Sequence, residues 1–431
     1  MQQQSELPEG WELVILKDIL EINPSKPHKD VVPPNTPVTF VPMPAVDADS
    51  GAITNPEIRD FSKVRKGYTA FQNEDVIFAK ITPCMENGKA AIARNLKNNY
   101  GFGSTEFFVF RSKGAILPDY LYSHIRQESY RNSAESNMTG SVGQKRVPKD
   151  FVQNSSIPLP PLSEQHRIIS AIEALFARLD AANERLDRVP EILKRFRQSV
   201  LAAACDGGLT EEWREKNRIK KDSWSDLEFF DFIVLKRGYD LPLSKRIEGP
   251  YPIMTSAGIA AYHDEYKMSG PGVVVGRSGS TGRVHYIDKD YWPHNTTLFV
   301  SDFKRNFTRF VYLFLINFDL KKYGASTAVP TLNRNNLRGI VVSIPPLSEQ
   351  HEIVRRVDAL FALADSIEAK VAAAREKTNK LRQSILAKAF SGELVETEAE
   401  LARREGRDYE PADVLIERIK AERGKSGKKG N

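Results

Sequence analysis

Pro160-Pro-Leu-Ser-Glu-Gln-His166 returns letter for letter as Pro345-Pro-Leu-Ser-Glu-Gln-His351, at an offset of 345 − 160 = 185 in sequence number. With no gap, the same offset aligns Ala174-Leu-Phe-Ala177 with Ala359-Leu-Phe-Ala362, Arg197-Gln-Ser199 with Arg382-Gln-Ser384, and Leu209 with Leu394. Between residues 160–209 and 345–394, 22 of 50 positions are identical, so the chain carries an internal duplication.

The duplicated segment reads as a long helix. Ile168, Ile172, Leu175, Leu179, Ala182, Leu186, Val189, Leu193, Phe196 and Val200 alternate in steps of four and three, the a/d seam of a coiled coil. Adding 185 gives Ile353, Val357, Leu360, Ala364, Ile367, Val371, Ala374, Thr378, Leu381 and Ile385, a seam with smaller residues in its middle. Each helix is expected to open after a Pro-Pro, with Ser163 or Ser348 as N-cap, and to close at Gly207 or Gly392 as C′. A span of roughly 40 residues corresponds to about 60 Å. Pro190 lacks an N–H and clashes with the preceding turn, so a kink or break is expected after Val189; the second copy has Arg375 there.

Outward from the repeats, residues 1–156 and 216–343 have a different character, rich in Gly, Pro, Asn and aromatics. They carry short β-rich runs, Val76–Phe78, Phe107–Phe110, Val273–Val275 and Leu298–Val300. Both open with a tryptophan, Trp11 or Trp224, and a short apolar stretch, Leu13–Ile22 or Leu227–Val234. Both run a strand into a small-residue turn: Asp75–Lys80 into Thr82–Gly88, and Gly272–Arg277 into Ser278–Gly282. The expected order is a mixed α/β globule (1–156), a helical repeat (157–215), a second globule (216–343), a second repeat (344–395) and a charged tail (396–431) whose end, Gly424–Asn431, reads as disordered. The class is α+β.

At 431 residues, with 41% hydrophobic and 27% charged residues, the chain has material for several packed cores. The polar start lacks a secretory pattern, and the longest apolar run, Phe310–Phe318, is short for a membrane helix. Cys84 and Cys205 are too few for a disulfide framework, which fits a reducing cytoplasm. The net charge of +6 is concentrated: residues 216–343 hold 19 Lys+Arg against 12 Asp+Glu, and residues 1–156 hold 18 against 18.

Motifs for chemistry are missing. Gly270–Gly282 has Gly276-Arg-Ser and no P-loop lysine, so it reads as a tight turn. No GxGxxG follows a strand, and no Asn/Asp-Pro-Pro-aromatic motif of amino-methyltransferases occurs. The seven histidines show no metal spacing; His166 and His351, three residues after the expected caps, read as polar packing. No catalytic residue, cofactor or metal is expected. What is abundant is equipment for a polyanion. Lys80, Lys89, Arg131, Gln144, Lys145 and Arg146 in the first globule, and Arg277, Ser280, Arg283, Lys321, Lys322, Arg334 and Arg338 in the second, can neutralise phosphates or bond base edges.

In its motifs the chain resembles a specificity (S) subunit of a type I restriction-modification enzyme. The resemblance spans nearly the whole length: Leu7-Pro-Glu-Gly-Trp11, Ile157-Pro-Leu-Pro-Pro-Leu-Ser-Glu-Gln165, Ile192-Leu-Lys-Arg-Phe-Arg-Gln-Ser199, Gly208-Leu-Thr-Glu-Glu-Trp-Arg214, Ile344-Pro-Pro-Leu-Ser-Glu-Gln350 and Leu381-Arg-Gln-Ser-Ile-Leu-Ala-Lys-Ala-Phe390. It implies two target-recognition domains, each reading half of a split site on double-stranded DNA, with the repeated helices paired antiparallel as a pseudo-twofold spacer. It also implies a non-catalytic subunit that docks two modification subunits, which methylate adenine N6, and restriction subunits that translocate and cleave. The variable domains match poorly between members, so no base-contacting residue transfers by motif. Two other readings are a coiled-coil scaffold whose globules bind proteins, and the recognition part of a self-contained restriction or modification enzyme.

Overall fold

The computed structural model describes residues 6–28, 30–220, 223–324 and 331–427, with side chains to residue 422. It divides into an N-terminal unit of residues 1–184 and 375–431 and a central unit of residues 185–374, so the chain's last segment folds with its first.

In the N-terminal unit the strands are β1 (Glu12–Ile15), β2 (Leu20–Ile22), β3 (Pro37–Val41), β4 (Glu57–Asp60), β5 (Thr69–Gln72), β6 (Val76–Ala79), β7 (Ala90–Ile92), β8 (Tyr100–Gly103), β9 (Phe107–Ser112) and β10 (Ser156–Leu159). They build an antiparallel sheet β2-β9-β6-β7, a sheet β4-β3-β8-β5 in which β3 and β8 are parallel, and a ribbon β1-β10. The central unit has β11 (Ser225–Glu228), β12 (Val234–Arg237), β13 (Tyr251–Thr255), β14 (Gly258–His263), β15 (Gly272–Gly276), β16 (Val284–Ile287), β17 (Trp292–Pro293), β18 (Thr297–Asp302) and β19 (Val341–Ile344). Its topology is the same except that β5 has no counterpart: β12-β18-β15-β16, then β14-β13-β17 with β13 and β17 parallel, then β11-β19.

The apolar runs of the sequence are the middle strands of the two antiparallel sheets. Their side chains alternate between cores on opposite faces, as a period of two requires. Phe108 and Phe110 of β9 join Val76 and Phe78 of β6 on one face, and Phe107, Val109, Ile77 and Ala79 lie in the core on the other. In the central unit Val273, Val275, Leu298 and Val300 face one core, and Val274 and Phe299 the other.

Both repeats are helices of 45 residues, Leu162–Asp206 and Leu347–Ser391, and each ends before a glycine of positive φ, Gly207 (+85°) or Gly392 (+80°). Three expectations are corrected. The break expected after Val189 is absent, the first helix being continuous through Pro190. Each helix begins two residues earlier than expected, with the Pro161 or Pro346 carbonyl taking the first intrahelical bonds, so Ser163 and Ser348 sit inside the first turn and are not N-caps. Of the seam positions, Ala182 and Leu381 are exposed, whereas Asn183 and Arg382 are half-buried. A straight helix of 3.6 residues per turn drifts off a strict seven-residue repeat, and beyond Leu381 the helix turns Leu386, Ala389 and Phe390 into the core of the N-terminal unit.

Helix pairing is antiparallel within each unit and uses equivalent residues reciprocally. Asp180 pairs with Arg382 in the N-terminal unit, and Arg197 pairs with Asp365 (2.6 Å) in the central one. Asp180 and Asp365, like Arg197 and Arg382, are repeat equivalents, so the same Asp–Arg pairing is used in each unit.

The repeated Glu-Gln explains its own identity. Glu164 and Glu349 are fully buried. Glu164 accepts from the Trp11 indole (3.0 Å), and Glu349 from the Trp224 indole (2.9 Å). Gln165 accepts from Leu117 N (2.9 Å) and donates to the Ala115 and Pro160 carbonyls; Gln350 accepts from Phe307 N (2.8 Å) and donates to Asn306 and the Pro345 carbonyl. Leu117 and Phe307 directly precede helices Pro118–Ile125 and Thr308–Asn317, so each glutamine satisfies an orphan donor at a helix start. His166 and His351 are both exposed, the latter with its ring 4.1 Å from that of Phe307.

The segment from Glu396, set apart in the sequence by its charge, forms helices Glu398–Glu405, with a Thr397/Glu400 capping box, and Ala412–Gly427. Ala412 and Leu415 enter the N-terminal core, and Ala412 N donates to the Gly10 carbonyl (3.0 Å). Of the end read as disordered, Gly424–Gly427 closes the second of these helices and residues 428–431 lie outside the described residues. Among the described residues no helix is long and apolar enough to cross a membrane.

Candidate nucleic-acid interface

In the N-terminal unit three chain segments cross at Lys80, just beyond β6. Its N donates to the Glu106 carbonyl (2.9 Å) and its carbonyl accepts from Val147 N (2.8 Å). The turn Thr82–Gly88 is tied to the segment before Val147 by Thr82 N to the Lys145 carbonyl (3.0 Å). That segment is a hairpin closed by reciprocal bonds between Thr139 and Arg146 (3.0 and 2.8 Å). Lys80, Gln144, Lys145 and Arg146 are thus brought together, the last three exposed. Arg146 forms a fork with Glu106, Nε to Oε2 at 3.0 Å and Nη2 to Oε1 at 2.9 Å. Hydrogen bonding by Arg146 holds the Glu106 carboxyl below its ordinary range against the effect of desolvation. Lys89 and Arg131 each reach a main-chain carbonyl: Lys89 Nζ donates to that of Met43 (3.2 Å) and Arg131 Nη1 to that of Glu86 (2.7 Å). Both are half-buried, and burial lowers the Arg131 pKa.

The central unit repeats this crossing at Arg277. Its N donates to the Thr296 carbonyl (2.9 Å) and its carbonyl accepts from Leu332 N (2.8 Å). Val147 and Leu332 are related by the same offset as the repeats, so Lys80 corresponds to Arg277 and Glu106 to Thr296. The following turn folds back through Gly282 N to the Gly276 carbonyl (2.8 Å), and a Cβ on Gly276 would lie 2.1 Å from the Ser280 carbonyl oxygen. Only glycine fits this approach. Arg277, Ser280 and Arg283 share the turn, and Lys321 covers it, its Cγ 2.8 Å from where a Gly282 Cβ would stand. Arg283, Lys321 and Lys322 are exposed, and Lys322 pairs with Asp319 (3.4 Å). The Arg277 side chain is half-buried, with Nη1 3.3 Å from the Asn295 carbonyl. Arg334 is exposed but tied to β12 through Nη1 and the Leu235 carbonyl (3.0 Å); Arg338 is exposed.

The sequence reading passed over Glu106 and Leu332 itself, although it named Arg334 nearby. The repeat offset, followed upstream from Pro160 and Pro345 to Val147 and Leu332, was the available signal for the latter. Nothing in the sequence signalled Glu106, whose meeting with Arg146 joins positions 40 residues apart.

The arrangement presents, in each unit, a tight turn and cationic or amide side chains on a framework of main-chain bonds, suited to phosphate and base-edge contacts. The chain is 40% identical to the type I restriction enzyme EcoAI specificity subunit of Escherichia coli over 211 residues, 49% of this chain and 35% of that one, so it spans about a third of that relative. With the EcoBI specificity subunit of E. coli it shares 33% identity over 357 residues, 73% of this chain and 72% of that one. The crystal structure of the HsdS subunit from Thermoanaerobacter tengcongensis has the same fold, with a TM-score of 0.64 at 20% identity over 91% of this chain and 99% of that one. The family model for the type I restriction modification DNA specificity domain matches residues 8–191 and 212–374, and the chain belongs to that family.

Proposed function

We propose that the chain is the sequence-reading, non-catalytic subunit of a type I restriction-modification complex in the cytoplasm, with residues 1–156 and 216–343 as the two recognition domains. Each domain reads one half of a bipartite duplex target, and the paired helices set the spacing between the halves. The repeats dock two modification subunits, which carry out adenine N6 methylation, and the complex recruits restriction subunits. The observation that carries this reading is the shared crossing at Lys80 and Arg277, one framework bearing different side chains. Two copies of one scaffold with different reading groups suit a target whose halves differ in sequence.

The test is a domain exchange. Replacing residues 16–155 by the corresponding segment of another family member leaves β1, β10 and the Trp11–Glu164 bond native. Methylome sequencing of cells expressing the chimera with its modification subunit should show one half-site changed and the other kept. A folded chimera that alters both halves, or neither, would refute independent readout.

A further inference from the structure

We propose that Arg146 reads a guanine in the half-site of the N-terminal unit and that Glu106 is its positioning residue; this rests on the reading of that unit as a DNA-recognition domain. Arg146 is fixed at both ends. Its main chain is locked into the hairpin through Thr139, and its side chain is held by Glu106 on the Nε/Nη2 edge and by the Gln144 carbonyl, 3.1 Å from Nη1. A guanidinium has five N–H donors, of which these contacts use three. One hydrogen on Nη1 and one on Nη2 remain, and a planar fork of this kind matches the O6 and N7 acceptors of guanine in the major groove.

Three further observations favour a base over a phosphate. The Arg146 side chain stays 45% exposed despite its pairing, so it is available to a partner. Val142, in the same hairpin between Gly140 (φ +122°) and Gly143 (φ +79°), is 95% exposed. An apolar side chain held out beside Gln144, Lys145 and Arg146 suits a groove wall, where thymine methyls and base edges lie, better than a phosphate. A carboxylate next to a phosphate-binding arginine would repel the ligand, whereas behind a base-reading arginine it sets the plane of the fork and lowers the entropy lost on binding. The central unit has Thr296 in place of Glu106, and Thr331 is the repeat equivalent of Arg146, so this readout belongs to one half-site only.

The full chain, purified with its modification subunit, is presented with a library of randomised duplexes and the bound fraction is sequenced. The wild type should enrich a bipartite target with guanine at a defined position of one half. Arg146→Ala and Arg146→Lys should both reduce preference for guanine at that position by about ten- to a hundredfold, leaving the other half intact. Arg146→Lys keeps the charge and the salt dependence but loses the fork. Glu106→Gln should reduce the same preference by a smaller factor, and at that position alone. Uniform weakening across all sequences, with Arg146→Lys behaving as wild type, would identify a phosphate contact and overturn the proposal. A specific wild type with unchanged variants would overturn it as well. A wild type that enriches no sequence would overturn the DNA-recognition reading and this proposal with it.

Discussion

The two crossings, at Lys80 and Arg277, are built from the same main-chain bonds and carry different chemistry. In the N-terminal unit a carboxylate, Glu106, stands behind the cationic hairpin; in the central unit the corresponding residue is Thr296, and Arg277 leans on the Asn295 carbonyl. The framework bonds are main-chain to main-chain, so they survive nearly any substitution, and side chains are free to vary on a fixed scaffold. The junctions differ in a related way. Glu349 is neutralised within the central unit by Arg214, which also donates to the Gly207 carbonyl (2.7 Å), and receives the Thr210 hydroxyl (2.6 Å). Glu164 instead accepts from the main-chain N of Glu398 (2.8 Å). Burial raises the Glu164 pKa above its ordinary value, against that bond and the Trp11 indole. Glu398 is itself held ionised by Arg167 and Arg407 against the effect of desolvation. One repeated glutamate is thus closed by the end of the other repeat and the other by the C-terminal segment.

The largest expected effect lies at that difference. Glu349→Gln strands the Arg214 guanidinium, 6% exposed, and should cost about 3–5 kcal/mol, the range for breaking a buried pair. Glu164→Gln leaves no stranded cation and should cost about 1 kcal/mol. Urea unfolding followed by tryptophan fluorescence can compare them, with Trp224 and Trp11 beside the mutated groups. Equal losses would mean that the two closures are energetically the same.

A smaller effect separates the units by pH. His124 in the N-terminal unit is buried, its ring 5.1 Å from Tyr130 and 5.2 Å from Phe390, and burial lowers its pKa to about 3. The unfolded chain binds a proton near pH 6.5 that the native unit refuses, so stability is complete above that pH and falls as pH drops below it. At pH 5.5 the loss should be about 1 kcal/mol. His294 in the central unit is also lowered, by burial and then by Arg246, and has the same sign. His124→Leu should flatten the difference in urea midpoint between pH 7.5 and 5.5; an unchanged difference would assign the acid sensitivity elsewhere.

The smallest effect tests the reciprocity of the helices. Arg382→Ala removes the pair with Asp180 and Arg197→Ala those with Asp365 and Glu368 (2.9 Å); all are largely solvent-screened, and each variant should cost about 0.2–1 kcal/mol. The Arg382 guanidinium also lies 4.7 Å from the Phe176 ring centroid, so its loss should be the larger of the two. Thermal unfolding of both variants measures this, and a clearly larger loss for Arg197 would break the expected ranking.

The sequence by itself determined the duplication, the two long helices, their glycine ends and the middle strands of the two antiparallel sheets. These follow from local periodicity and from residues such as Gly207 and Gly392 whose conformational freedom is intrinsic. It also brought forward Lys80, Gln144, Lys145, Arg146, Arg277, Ser280, Arg283 and Lys321, which the fold gathers at the two crossings. What only the tertiary structure decided is which polar groups meet. Lys89 and Arg131 resemble Lys80 and Arg146 in sequence, yet their donors end on the carbonyls of Met43 and Glu86. Glu106 is an ordinary acidic residue until the fold sets it against Arg146, and the tail from Glu396 looks like solvated charge until Glu398 N reaches Glu164. Hydrophobic periodicity is written along the chain because it reports burial; hydrogen-bond partners depend on segments far apart in sequence, and that pairing exists only once the chain has folded.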